Sequence, residues 1–272
     1  MKSQVFNLSL KIIGIALLIL TLVGEYRSFP DVRSAKGVFK NDSKLSYTEY
    51  TDICDSLYEL KFQETLSDFE FLEKLTKATS DRFLHRVFKN EKEIRDYGQS
   101  VRLSDNWILY IISRLFLDHK DYFYHDVNSA LKRGIGQCGQ QAHTLMNMVE
   151  NYGFQAYTIG LTGHVITGVN LNGGEVLCDP DYGVFIPKSL DEVSRTDIEK
   201  YYTGHMSYTD TLKYYLSLND LCSIYLTKDD NWNSKERTVT IGKKYIYMEE
   251  FAVSFKWILP FSMIFIAFYS KN

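Results

Sequence analysis

The chain has 272 residues, 45% of them hydrophobic and 15% aromatic, with a formal net charge of −3 at pH 7. This length allows one large domain or two small ones, and the apolar content is sufficient for a packed core rather than a disordered chain. A pI of about 6.1 argues against a nucleic-acid-binding protein, because such a protein needs a clustered basic face. We therefore expect no nucleic acid among its partners.

An apolar run begins the chain. Residues 5–24 are nearly all apolar and are about as long as one bilayer-spanning helix. The charged residues at its start also resemble a signal peptide, but no small-x-small cleavage site ends the run. We therefore predict a retained transmembrane helix or signal anchor over residues 1–24. Residues 25–41, with Pro30, Gly37 and mixed charge, are typical of a linker leaving the membrane.

The next part of the chain has the pattern of several helices. Ser46 is a predicted N-cap, with Glu49 at the position that completes a capping box. Further helices are predicted over residues 66–77, 81–89 and, after the N-cap Ser104, 105–118, and the apolar residues of the last run share one face. We interpret this part as a helical preface that packs on the module C-terminal to it and has no chemistry of its own.

Residues 133–187 carry the chemistry that we expect of this protein. Cys138 follows a glycine-rich turn and begins a predicted helix, which Gly153 ends in a left-handed conformation. The unpaired N–H groups and the dipole of a helix N-terminus favour an anion, and the thiolate is the nucleophilic form of cysteine. The helix is predicted from one apolar stripe: Ala142, Leu145, Met146 and Val149.

A predicted β-hairpin comes after this helix. After a strand-like run over residues 154–161, two further runs are joined by the turn signal at residues 172–174. With a two-residue turn, His164 lies opposite Asp181, and Asp179 is one diagonal step away on the same face. A three-residue loop would put Asp179 on the opposite face.

A thiol at a helix start, a histidine on a strand and a carboxylate on the neighbouring strand form the usual nucleophile, base and orienter arrangement. The tripeptide ending at Cys138, the His-Val pair at His164 and the Asp-Pro pair at Asp179, in this order, resemble the transglutaminase-like superfamily. The resemblance implies a papain-like α+β fold and a catalytic triad of these three residues. Asp181 is the alternative third member, because the strand register favours it slightly.

The resemblance implies thiol acyl transfer on the amide carbonyl of a protein or peptide substrate. The backbone N–H of Cys138 is the expected oxyanion donor, and Gln137 is the candidate for a second one. The acyl group would pass to water, as in a cysteine peptidase or amidase, or to an amine, as in a transglutaminase. An arylamine acetyltransferase-like reaction is a minor alternative, since no basic stretch offers a site for the phosphates of coenzyme A.

A catalytically inactive binding module at the membrane is the alternative from another class. Many members of the superfamily have an aromatic residue directly after the cysteine and another soon after the histidine. This chain has Gly139 in the first place, and Ile166 and Thr167 near the second. This departure favours a protein that has kept the fold and lost turnover.

Two cofactor patterns in the sequence are weaker. Gly134, Gly136 and Gly139 spell G-x-G-x-x-G, but the residues before them have a helical pattern and no carboxylate ends the next strand, as a dinucleotide site requires. A metal site made of His119, His125 and His143 lacks the closely paired ligands typical of zinc, and the four cysteines are widely spaced. We therefore predict no metal, no cofactor and no disulfide framework.

The rest of the chain predicts a return to the membrane. Helices are expected over residues 190–201 and 209–216, then strands over 221–226 and 238–248, the last with a hairpin at Gly242. Residues 251–272 contain a second apolar run, which we interpret as a transmembrane helix or, alternatively, a buried C-terminal helix.

These elements predict one α+β domain over residues 42–250, with a catalytic core at 119–226, between two transmembrane helices. Two spans would place both termini on one side of the membrane and the domain on the other. More basic residues flank the spans on the domain side than at the termini, so the positive-inside rule, taken literally, would keep the domain cytoplasmic. A short N-terminal tail leading directly into an apolar helix favours export, and we expect an extracytoplasmic domain.

Overall fold

A computed structural model describes most of the chain, in two compact units. The first comprises Met1–Pro30, Phe88–Asp126 and Gly242–Asn272, and the second Asp31–Val87 and Val127–Ile241. The single domain predicted over residues 42–250 is therefore divided between the two. Most of the predicted linker, His119 and most of the predicted helices at 81–89 and 209–216 lie outside the described residues. Those residues are 2–26, 45–83, 101–116, 125–171, 173–203, 216–227, 232–233 and 238–269.

The described elements are nine helices and five strands, and the α+β class predicted from the sequence is confirmed. The strands form one antiparallel sheet in the order β4-β3-β2-β1-β5. In chain order the elements are α1 (Lys2–Tyr26), α2 (Tyr47–Phe62), α3 (Asp68–Arg82), α4 (Trp107–Phe116), α5 (Val127–Arg133), α6 (Cys138–Asn151), β1 (Gln155–Leu161), β2 (His164–Leu171), β3 (Gly174–Asp179), β4 (Val184–Ile186), α7 (Arg195–Tyr202), α8 (Leu218–Leu226), β5 (Trp232–Asn233) and α9 (Thr238–Tyr269).

Capping boxes start the helices of the preface. The N–H of Glu49 donates to the Ser46 hydroxyl at 3.1 Å and the N–H of Ser46 donates to the Glu49 carboxylate at 2.7 Å, as predicted. Ser67 and Glu70 form the same motif at the start of α3. Helices α2 and α3 pack on each other and, with α6, share a buried core. The prediction that the preface packs on the neighbouring module holds for these two helices, whereas α4 belongs to the first unit.

The hairpin of β2 and β3 has the register expected of a two-residue turn. Leu171 pairs with Gly174 and Thr167 with Cys178, so the same register continued beyond the end of β3 sets His164 opposite Asp181. Helix α6 lies against β1 and β2, and the Thr167 hydroxyl donates to a carbonyl of α6 at 2.9 Å. This packing brings the start of α6, with Cys138, to the start of β2.

Two predictions in the last third of the chain are wrong. Residues 221–226, predicted as a strand, lie in α8, and residues 238–248, predicted as strands with a hairpin, form the start of α9. Ser217 and Asp220 make a capping box that begins α8, and its buried residues recur at helical spacing. In the second case β-branched residues favour a strand locally, but the run is continuous with a long apolar helix.

In the first unit, α1, α4 and α9 pack around a cluster that includes Trp107, Ile108 and Leu109. Helices α1 and α9 are each long and apolar enough to cross a membrane, over Gln4–Tyr26 and Tyr245–Tyr269. Only 17% of the apolar stretch of α1 and 22% of that of α9 is buried in the protein. These buried fractions are low for helices in the core of a soluble protein. This agrees with the two predicted spans.

Polar contacts join the two long apolar helices. The Lys256 ammonium donates to the Glu25 carboxylate at 2.6 Å, and the Thr21 hydroxyl reaches the Lys256 carbonyl at 3.2 Å. The Trp107 indole N–H donates to the same hydroxyl at 3.1 Å, so α4 takes part in the network. Charged and polar side chains within apolar helices are stable where they are paired in this way.

Candidate active site

The chain approaches Cys138 through a tightly packed turn. Gly134 has a φ of +63°, and a Cβ atom there would lie 2.3 Å from a guanidinium nitrogen of Arg82. That guanidinium donates to the carbonyls of Leu45 and Lys132 at 3.0 and 2.9 Å, which ties α3 to the turn. Glycine is therefore required at this position, and its role is to fix the path of the backbone into α6.

Cys138 is the first residue of α6 and is partly exposed. The N–H groups of Gln140 and Gln141 donate to the Gln137 carbonyl at 3.0 Å and begin the helical pattern. The N–H groups of Cys138 and Gly139 come before this point and have no carbonyl one turn back. A helix start of this kind favours an anion, and Cys138 lies at this helix start, as the sequence predicted.

Gln137 is the N-cap residue of α6, with extended backbone at φ −82° and ψ 167°. Its side chain is exposed and makes no capping hydrogen bond to the helix. This side chain therefore neighbours the thiol without being used to cap the helix. Its role as a second oxyanion donor stays a prediction.

His164 and Asp179 form a direct hydrogen bond in a dry environment. The distance from His164 Nε2 to Asp179 Oδ2 is 2.7 Å, and the two residues are 3% and 1% exposed. The other carboxylate oxygen of Asp179 accepts the backbone N–H of Asp181 at 3.0 Å. The carboxylate therefore fixes both the orientation and the tautomer of the imidazole.

The Cys138 thiol lies close enough to the His164 side chain to raise the pKa of the imidazole. Nε2 is occupied by Asp179, which leaves Nδ1 as the nitrogen available to the thiol. The structure thus brings together the three residues singled out in the sequence, in the order thiol, imidazole and carboxylate. Asp181 lies on the thiol side of the ring, with its Oδ2 4.0 Å from Nδ1, too far for a hydrogen bond.

Electrostatics favour a protonated imidazole. Burial lowers the pKa of His164, but the charge of Asp179 and the hydrogen bonds to Asp179 and Cys138 outweigh burial, with Asp181 adding to them. The net result is a pKa well above the usual value of the side chain. An imidazolium donates from both nitrogens, to the Asp179 carboxylate on one side and to a Cys138 thiolate on the other.

Three tyrosines around the histidine and the aspartate had no signal in the sequence. The Tyr202 hydroxyl donates to Asp179 Oδ2 at 2.6 Å and lies 2.6 Å from the Tyr225 hydroxyl. The Tyr182 ring meets the His164 ring edge-on, with the centroids 5.7 Å apart. Tyr202 and Tyr225 lie on α7 and α8, outside the stretch that carries the motifs, and only folding brings them to the site.

Gln141 is a further contributor that sequence reasoning missed. Its side-chain amide donates to Asp181 Oδ1 at 2.8 Å and to the Gly136 carbonyl at 3.2 Å. It therefore links the turn before Cys138 to the loop after β3. Its position one helical turn after Cys138 is the one hint that the sequence contained.

The glycine pattern lacks the preceding strand of a dinucleotide site, and the three-histidine pattern includes His119, which lies outside the described residues. The G-x-G-x-x-G motif comes after helix α5 rather than a strand, and its first glycine serves the contact with Arg82. Within the described residues, no three His, Cys, Asp or Glu side chains cluster as metal ligands would. All four cysteines are free thiols, and Cys54, Cys178 and Cys222 are buried.

No model of a known protein family matches this chain, and no curated protein matches it significantly.

Proposed function

We propose that this protein is a membrane-tethered thiol acyl-transfer enzyme with a papain-like, transglutaminase-like site made of Cys138, His164 and Asp179. The observation that carries the proposal is the direct hydrogen bond between the buried His164 and Asp179, with the Cys138 thiol at the start of α6 beside the imidazole. A core cysteine would need neither an imidazolium partner nor a helix N-terminus.

The reaction begins with attack of the Cys138 sulfur on an amide carbonyl carbon. The carbonyl oxygen becomes an oxyanion beside the N–H of Cys138, and the imidazolium gives its Nδ1 proton to the leaving nitrogen as the C–N bond breaks. In the thioester that results, neutral His164 takes a proton from the acceptor, which attacks the same carbon. The C–S bond breaks, and the thiolate and imidazolium return. None of these steps requires a cofactor.

The acyl acceptor defines the class of enzyme. Water makes the protein a cysteine peptidase or amidase, and an amine makes it a transglutaminase. Protein or peptide amides are the expected donors in both cases. An acetyltransferase-like reaction on arylamines uses the same three residues and is the minor alternative.

The proposed oxyanion donors can be tested separately from the nucleophile. Gln137→Ala is expected to slow turnover of an amide substrate, because the side chain would bind the tetrahedral oxyanion. It should leave alkylation of Cys138 by iodoacetamide unchanged, because that reaction forms no oxyanion. An equal loss in both assays would mean that Gln137 supports the nucleophile instead.

The central test is thiol reactivity in the full-length protein in detergent. Cys138 is expected to react with iodoacetamide at pH 6 to 7 much faster than an ordinary cysteine, with its pKa of about 8.5. Mass spectrometry of the labelled peptides separates Cys138 from the three buried cysteines, and Cys138→Ser is the blank. An ordinary rate in a folded protein would favour the inactive binding module.

A screen of peptide and amine substrates then separates the acyl acceptors. Release of an amine from a labelled peptide without incorporation of added amine identifies a peptidase or amidase. Incorporation of the added amine identifies a transglutaminase.

We also propose that the domain lies outside the cytoplasm. Two helices of spanning length support membrane association. A membrane-impermeant maleimide applied to intact cells should label Cys138, the partly exposed cysteine of the four. Labelling only after the membrane is opened would place the domain on the cytoplasmic side.

A further inference from the structure

Asp179 has more hydrogen-bond donors than a triad orienter needs for its histidine. Three groups donate to its carboxylate: His164 Nε2, the Tyr202 hydroxyl and the backbone N–H of Asp181. The first two share the oxygen Oδ2, at 2.7 and 2.6 Å. Tyr202 therefore contacts the same atom that orients the imidazole.

The direction of the tyrosine hydrogen bonds is fixed by the number of protons. A tyrosine hydroxyl has one hydrogen, and that of Tyr202 is committed to Asp179. Tyr225, 2.6 Å away, must then donate to the Tyr202 oxygen. Tyr225 thus donates to Tyr202, Tyr202 donates to Asp179, and the same carboxylate accepts a second hydrogen bond from His164.

Both tyrosines are held as neutral donors. Each is completely or almost completely buried, and burial, followed by the charge of Asp179, raises the pKa of each hydroxyl well above its usual value. Their rings pack edge-on, with centroids 5.9 Å apart, and the Tyr202 ring also meets Tyr182 at 5.4 Å. The orientation of the Tyr202 hydroxyl is therefore set from two sides.

We propose that Tyr202 is a positioning residue for the acyl-transfer reaction, which holds the Asp179 carboxylate in the orientation that pairs with His164, with Tyr225 orienting Tyr202 in turn. This inference rests on the proposed function. A buried carboxylate is unstable unless hydrogen-bond donors surround it. The Tyr202 hydroxyl is one such donor, and its hydrogen bond to Asp179 is charge-assisted. A correctly oriented Asp179 carboxylate holds His164 in place beside Cys138 and raises the pKa of its imidazole.

Tyr202→Phe removes the hydroxyl and keeps the ring with its packing. Asp179 then loses one of two donors on Oδ2, and its carboxylate holds the imidazole of His164 less firmly beside Cys138. Loss of a hydrogen bond to a charged group corresponds to an effect of about 10- to 100-fold. We expect alkylation of Cys138 to slow by this factor at pH 6 and to approach the wild-type rate in alkaline solution.

The test compares pH profiles of Cys138 alkylation by iodoacetamide in full-length protein in detergent. Tyr50→Phe is the matched control, because Tyr50 is also fully buried and its hydroxyl bonds Thr79 at 3.3 Å, with no link to Asp179. Tyr225→Phe is expected to shift the profile in the same direction by a smaller amount. Melting temperatures of all variants measure the structural cost separately.

Two results would overturn the inference: an unshifted profile for Tyr202→Phe, or an equal shift for Tyr50→Phe. A double-mutant cycle with Asp179→Asn gives an independent reading, since a residue that acts through Asp179 causes little further loss once the carboxylate is gone. Full additivity in that cycle would also refute the positioning role. If wild-type Cys138 itself has ordinary reactivity, the proposed function fails first, so the two failures are distinguishable.

Discussion

The substitution Asp179→Asn gives the sharpest prediction for the proposed triad. It keeps the shape of the side chain and removes the charge that faces the imidazolium. His164 and Asp179 are 3% and 1% exposed, so water does not replace the lost partner. Removing one member of a buried ion pair costs about 3–5 kcal/mol, which corresponds to about 10²- to 10⁴-fold in turnover.

The rate of Cys138 alkylation at pH 6 measures the effect of Asp179→Asn without a known substrate, but this rate cannot fall below that of an ordinary thiol. An ordinary thiol with a pKa of about 8.5 is ionised to about one part in 300 at pH 6, so the rate can fall by roughly 300-fold at most. We expect Asp179→Asn to come close to this floor at pH 6. At about pH 9.5 an ordinary thiol is ionised without help, and the variant should match the wild type.

Asp181→Asn is the matched control, because it removes a second carboxylate from the same loop. Asp181 lies 4.0 Å from Nδ1 on the thiol side, so its charge favours the imidazolium and repels the thiolate at once. The two effects oppose each other, and Asn can still accept the hydrogen bond from Gln141. We expect a loss below about 10-fold. A larger loss at Asp181 than at Asp179 would refute the assignment of the third triad member.

Three further predictions concern stability and assembly. The pKa of His164 is raised, so the charged imidazole contributes stability that is complete below about pH 6.5 and is lost as the pH rises through the raised pKa. The difference in melting temperature between wild type and His164→Gln should therefore shrink in alkaline solution. A difference that stays constant with pH would contradict this. Gly14→Leu should lower the melting temperature in detergent, because a Cβ there would lie 2.8 Å from Ile264 and 3.0 Å from the Pro260 carbonyl, whereas the exposed Ile15→Leu should not. Deleting α1 and α9 uncovers the apolar face of α4, so the truncated protein should aggregate, as measured by size-exclusion chromatography. A monodisperse soluble product would show that this face is not needed for packing.

The sequence by itself determined where Cys138 and His164 lie in the secondary structure, because the signals there are local. A glycine-rich turn, a helical stripe and an Asn-Gly hairpin turn act over a few residues, and they set the thiol at a helix start and the histidine on the adjoining strand. The apolar runs that begin and end the chain were equally readable, since a spanning helix is defined by length and composition.

The choice between the two aspartates was decided only by the tertiary structure. Strand register favours Asp181, which lies opposite His164, but β3 ends at Asp179 and the chain then turns. The turn carries Asp181 to Gln141 on helix α6, and it leaves Asp179 at hydrogen-bond distance from the imidazole. Register describes a continuous ladder, and it loses its meaning where the strand stops.

Tyr202 and Tyr225, the helical state of residues 221–226 and the grouping of α4 with α1 and α9 were also beyond the sequence. Each depends on contacts between segments far apart in the chain: Tyr202 reaches Asp179 from another helix, and α4 covers apolar residues of both terminal helices. Local propensity describes what a segment prefers in isolation. Burial against a distant partner is worth more than that preference, so packing decided these features.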